Sequence, residues 1–132
     1  MVGFLKNLLR KFEADMEFRT KRLRIFDATP RQAAQLCASL LKEDEVAALV
    51  PWMNGKDAKE VGQEMLRIEL LCGAESLNVW AIQRLEDHVL IGAVMETPSL
   101  MGSNVEAILG RQYWNLGYSD EALAPVLEWI GS

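Results

Sequence analysis

Val2, Phe4, Leu5, Leu8, Leu9 and Phe12 fall at helical spacing, with Lys6, Arg10 and Lys11 between them. This pattern predicts an amphipathic helix over residues 1–16. A basic face of this kind suits a membrane surface. Glu13, Asp15 and Glu17 follow at once, however, and weaken attraction to anionic lipid, so packing on the domain or on another subunit is expected. Glu17 to Phe26 then reads as one extended strand whose larger apolar residues are Phe18, Leu23 and Ile25. Thr29-Pro30-Arg31-Gln32 is a helix start: Thr29 caps, Pro30 suits the first helical position, and Gln32 reaches back to the cap amide. The helix behind it buries Ala33, Leu36, Cys37, Leu40 and Leu41, and a shorter helix over Glu43 to Val50 ends at Pro51. Asp57 to Glu60 repeats the capping logic ahead of Val61, Met65, Ile68 and Cys72, with Gly73 as a stop.

The texture then changes. Leu77 to Arg84 and Val89 to Met95 are apolar, β-branched runs separated by Leu85-Glu86-Asp87-His88, which predicts a hairpin. Pro98 to Ser103 reads as a loop, Val105 to Leu109 as a short strand, Gly110 to Gly117 as a loop, and Ser119 to Ile130 as a closing helix. Helices inserted after a first strand, then a meander, then a strand-loop-helix unit predict a mixed α/β domain over residues 17–132.

Composition narrows the function classes. The chain of 132 residues suits one compact domain, and its 50% hydrophobic and 25% charged residues are ordinary for a globular fold. A net charge of -5 argues against non-specific nucleic-acid binding. It does not oppose an anionic ligand held by backbone amides. Two cysteines and one histidine lack zinc-type spacing, so no metal is expected and Cys37 and Cys72 read as reduced thiols. With no apolar run of membrane-spanning length and no signal-peptide pattern at the start, a cytoplasmic location is expected.

Chemistry is concentrated at one junction. Glu106 to Leu109 is a strand end, Gly117 closes the following loop, and Ser119, Asp120 and Glu121 begin a helix. A helix N-terminus reached through a glycine loop presents unpaired amides and a positive dipole end to an anion. Asp120 and Glu121 could serve that dipole without any ligand.

The run Gln112-Tyr-Trp-Asn-Leu-Gly-Tyr-Ser-Asp-Glu-Ala-Leu123 resembles the acetyl-CoA pyrophosphate loop of the GNAT superfamily of N-acetyltransferases, in particular its ribosomal-protein N-terminal acetyltransferase branch. Earlier pieces resemble that branch in the same order: Thr20-Lys-Arg-Leu-Arg-Ile25, Asp44-Glu-Val46 with Val50-Pro-Trp52, Val79-Trp-Ala-Ile82, and Leu90-Ile-Gly92. The resemblance implies a mainly antiparallel sheet with flanking helices and acetyl transfer from acetyl-CoA to an amine, either a protein N-terminus or a small molecule. It implies coenzyme contacts at Leu109, Arg111, Trp114, Asn115, Leu116, Gly117, Tyr118 and Ser119, with the amides of Trp114 and of Leu116 to Ser119 as donors. By the same resemblance the strand end at Leu109 and Gly110 pairs with the pantetheine arm and offers an oxyanion-stabilising amide. Glu106 is the carboxylate in the matched segment able to take the amine proton.

Three departures from the family pattern stand out. Asn115 occupies the usual first loop glycine, where asparagine tolerates a left-handed backbone but brings a side chain toward the phosphate. Pro125 sits inside the closing helix, which it is expected to kink or delay. The sequence ends at Ser132, where the family continues with further strands, so the expected sheet lacks its usual C-terminal strands and has an exposed edge. A homodimer completing that edge, a catalytically inactive binding or dimerisation module, and a piece of a longer chain are all consistent with this ending.

Overall fold

In the computed structural model, which describes residues 17–50, 53, 55–99 and 102–131, the segment expected to form one strand from Glu17 to Phe26 folds back on itself. β1 (Glu17–Arg19) and β2 (Leu23–Asp27) pair antiparallel, with Phe18 opposite Ile25. The reversal has its own hydrogen bonds: the Thr20 amide donates to the Leu23 carbonyl (2.9 Å) and the Leu23 amide to Thr20 Oγ1 (3.0 Å). A threonine that offers a local acceptor competes with a continuing strand, and hydrophobic patterning is blind to this. The helix expected over residues 1–16 lies outside the described residues.

Three helices follow: α1 (Pro30–Leu40), α2 (Asp44–Ala48) and α3 (Ala58–Gly73). Both capping boxes form. Thr29 Oγ1 accepts from the Gln32 amide (3.2 Å) while Gln32 Oε1 accepts from the Thr29 amide (3.0 Å). Asp57 and Glu60 exchange the same two bonds at 2.8 and 3.3 Å. Each box satisfies two amides that a helix start otherwise leaves open. Asp57→Ala is expected to cost about 1 kcal/mol, read as a lower urea midpoint at unchanged slope. An unmoved midpoint would show the cap to be dispensable.

β3 (Asn78–Arg84), β4 (Leu90–Ser99) and β5 (Gly102–Leu109) complete a five-stranded antiparallel sheet in the order β1-β2-β3-β4-β5. The loop expected over Pro98 to Ser103 is therefore mostly strand, with Pro98 opposite Ser103 in the β4–β5 ladder. The proline is tolerated because β3 begins only at Asn78, opposite Glu96. Pro98 lies beyond that neighbour, so its missing N–H costs no ladder bond. A short 3₁₀ turn (Arg111–Tyr113) leads to α4 (Tyr118–Gly131), which runs through Pro125.

Strand alternation assigns the two faces. α1 and α3 bury Ala33, Cys37, Leu40 and Ile68 against Val79, Ala93, Met95 and Ile108. α4 buries Tyr118, Ala122 and Val126 against Leu23, Ile25, Trp80, Ile82 and Val94 on the other face. This is the expected mixed α/β architecture, a mainly antiparallel sheet between helices, with β5 at one edge. Among the described residues no helix is long and apolar enough to cross a membrane.

Candidate functional site

The site forms where β5 ends and the chain turns into α4. The Tyr113 amide donates to the Gly110 carbonyl (3.0 Å) and the Trp114 amide to the Arg111 carbonyl (3.2 Å). Trp114 also anchors the loop by its indole, which donates to the Leu109 carbonyl at 2.9 Å. Two left-handed residues then bracket Leu116: Asn115 at φ 63° and Gly117 at φ 81°. Asparagine is among the few non-glycine residues that adopt this conformation readily, which accounts for its place here.

Among the described residues, the amides of Leu116, Gly117, Tyr118 and Ser119 donate to no protein acceptor. They cluster at the positive end of a 14-residue helix, an arrangement suited to an anion. The Trp114 amide, expected to belong to this set, is already engaged by Arg111. An open cleft of about 300 Å³ adjoins the loop, lined by Leu49, Ala107, Leu109, Tyr113, Trp114, Asn115, Gly117, Tyr118 and Ser119.

Among the described residues β5 pairs only with β4, and its other edge borders the cleft. The Gly110 amide bonds to the Ile91 carbonyl at 2.9 Å, and the register pairs Leu109 with Gly92 and Ile108 with Ala93. Because hydrogen-bonded and non-bonded pairs alternate along an antiparallel ladder, Ile108 faces β4 with its peptide groups. Ala107 and Leu109 turn theirs outward. The indole of Trp114 takes the Leu109 carbonyl, and the Leu109 N–H faces the edge.

Other expected residues lie elsewhere. Arg111 Nε is 2.6 Å from Glu45 Oε2, its amide donates to Glu43 Oε2 (3.3 Å), and its guanidinium sits 4.7 Å over the Trp114 ring. It therefore ties the loop to α2 as part of an ion pair. Glu106 is half-buried opposite Met95, on the α1–α3 face of β5, and is not among the cleft's lining residues. Burial, then the neighbouring Cys72 and Glu106, push the Cys37 thiol up to about 12. Among the described residues neither Cys37 nor Cys72 forms a disulfide, and no cluster of three metal-binding side chains occurs.

Sequence reasoning missed the support beneath the loop. Glu121 accepts from the Thr20 hydroxyl and from the backbone and side chain of Arg22. Burial opposes its charge, but those donors outweigh burial and hold the carboxyl below the usual glutamate range. A glutamate in a helix's first turn has a sufficient local explanation in the dipole, so no sequence signal separates this one.

Comparison with known proteins agrees with this architecture. Residues 22–131 match a family model described as Acetyltransferase (GNAT) domain. A ribosomal-protein-S5-alanine acetyltransferase from Vibrio fischeri superposes with a TM-score of 0.62 at 16% identity, covering 88% of this chain and 67% of that one. A protein described as a ribosomal-protein-serine acetyltransferase from Vibrio cholerae gives 0.59 at 17%, covering 87% and 66%. This chain thus spans about two thirds of the length of those structures, and at such identity the likeness is one of fold. No curated protein matches by sequence. The family match runs over most of the chain, through the loop and helix that shape the cleft: this protein belongs to the acetyltransferase (GNAT) domain family.

Proposed function

We propose that this domain is an acetyl-CoA-dependent N-acetyltransferase acting on an amine, either a protein N-terminus or a small molecule, in the cytoplasm. The observation that carries the reading is the row of unengaged amides from Leu116 to Ser119 at the mouth of α4. Such a row fits a diphosphate, which needs several donors and little side-chain charge. The left-handed backbone at Asn115 and Gly117 supports the fit by curling the loop around that space.

In this reading the amides of Leu116, Gly117, Tyr118 and Ser119 hold the diphosphate, and Trp114 and Asn115 wall the cleft. Arg111 contributes through its tie to α2. The outward peptide edge of Ala107 and Leu109 lies along the pantetheine arm, with the Leu109 N–H as carbonyl donor. Bound acetyl-CoA supplies an activated thioester carbonyl. Glu106 is the proposed acceptor for the amine's proton. The same open edge suits pairing with a second copy, an arrangement exclusive with pantetheine binding there.

A second reading is a GNAT-like module that binds coenzyme or a partner without turnover. It is favoured by the place of Glu106 on the face of β5 away from the cleft's lining residues. Calorimetry with coenzyme A, then thiol release from acetyl-CoA with a panel of amines, separates the two. The enzyme reading expects binding and turnover, with Glu106→Gln lowering kcat at unchanged coenzyme affinity. Binding without turnover selects the module, and no binding refutes the coenzyme site.

A further inference from the structure

Arg22, in the β1–β2 turn, makes three contacts at the loop. Nη1 donates to the Leu116 carbonyl at 3.0 Å across 94 residues of sequence. Nε donates to Glu121 Oε1 at 2.7 Å, with Nη2 also 2.7 Å from that oxygen. The guanidinium carbon lies 4.3 Å from the centre of the Tyr118 ring. Glu121 is fixed from the same side, where its Oε2 accepts from the Arg22 amide (3.0 Å) and the Thr20 hydroxyl (2.5 Å).

These contacts set the sense of one peptide. The Leu116–Gly117 bond is trans, so its C=O and N–H point in opposite directions. Arg22 borders a separate hollow with Lys21, Arg84 and Tyr118, whereas Asn115, Gly117 and Ser119 line the cleft. Holding the carbonyl on the Arg22 side therefore turns the Gly117 N–H to the cleft side. The geometry points to Arg22, oriented by Glu121, as the positioning residue of the anion-binding loop. This inference rests on the coenzyme reading of the cleft.

Arg22 does not touch the ligand in this account. Its effect is to keep the Leu116 oxygen out of the cleft, where that lone pair would face a phosphate. A guanidinium suits the task because its diverging N–H groups reach Leu116 and Glu121 together. A lysine carries its donors on one nitrogen at the end of a flexible stem, so it keeps the charge beside Glu121 without the planar fork that holds Leu116 and Glu121 in fixed directions.

The test compares the full chain with Arg22→Lys and Arg22→Met, each labelled with nitrogen-15. Without ligand, the Gly117 amide resonance is expected to shift or broaden in both variants, while Arg22→Lys melts within a few degrees of the parent. Coenzyme A affinity is expected to fall about tenfold in both, the scale of one lost charge-assisted hydrogen bond. The KM for acetyl-CoA is expected to rise more than kcat falls. An Arg22→Lys protein with the parent's Gly117 resonance and coenzyme affinity would overturn the proposal. A shifted Gly117 resonance in a protein whose parent binds no coenzyme A would uphold the positioning role and refute the coenzyme reading.

Discussion

An Asn115→Asp protein is expected to bind coenzyme A on the order of 10- to 100-fold more weakly than the parent, and Asn115→Gly more tightly. Asn115 lines the cleft with a left-handed backbone, and aspartate and glycine both accept that conformation. Neither change should disturb the loop, so melting temperatures should stay close to the parent's. Asn115→Asp changes little but charge. A carboxylate about 6 Å from a phosphate at an effective dielectric near 20 costs about 3 kcal/mol before screening, which sets the upper end of the range. Asn115→Gly removes a side chain from the phosphate side. Titration calorimetry at two salt concentrations reads both effects, and the Asn115→Asp penalty should shrink at the higher salt. Equal affinity for all three proteins would place the diphosphate elsewhere.

The largest stability effect is expected at Gly92. A Cβ there would lie 2.2 Å from the Ile108 carbonyl oxygen, 2.7 Å from Leu109 Cδ2 and 3.1 Å from Leu109 Cα. Two of these atoms are backbone and cannot rotate away. Gly92 stands opposite Leu109 in a non-hydrogen-bonded pair, the type in which the two chains approach most closely. Gly92→Ala is therefore expected to cost about 3 kcal/mol, the upper end for overpacking. For a domain of this size the melting temperature should fall on the order of 10 °C. Gly62 in α3 supplies the contrast, because a Cβ there meets nothing within 4 Å. Gly62→Ala should raise stability by roughly 0.5–1 kcal/mol through helix propensity. Thermal melts of both proteins check the pair, and a Gly92→Ala protein as stable as the parent would show that β5 can move away freely.

Much of the fold was legible because its signals are local. The capping boxes at Thr29 and Asp57, the apolar stripes of α1 and α3, and the β-branched runs of β3 and β4 each follow from neighbouring residues. The errors arose where pairing partners decided the outcome. Pro98 to Ser103 has loop composition, yet it is strand because β4 and β5 pair past the end of β3. Glu17 to Phe26 has strand composition, yet Thr20 bonds back on Leu23 and splits it.

At the candidate site the division is similar. The loop, its closing glycine at Gly117 and the start of α4 could be read from a dozen consecutive residues, since backbone conformation depends on adjacent side chains, whereas the left-handed turn at Gly117 came from the structure. The Trp114 amide is engaged locally, in the 3₁₀ turn, whereas tertiary structure alone decided that Arg111 pairs with Glu45 and that Glu106 faces the α1–α3 layer. It also brought Thr20 and Arg22 beneath a helix start a hundred residues away, joined to Glu121. Hydrogen-bond partners distant in sequence leave no periodicity for a single chain to display. The sequence by itself therefore determined the capped helices and the β3–β4 hairpin and marked one loop as the candidate anion site, because those signals are local. Packing of the sheet ends decided which distant groups bond to that loop and its helix.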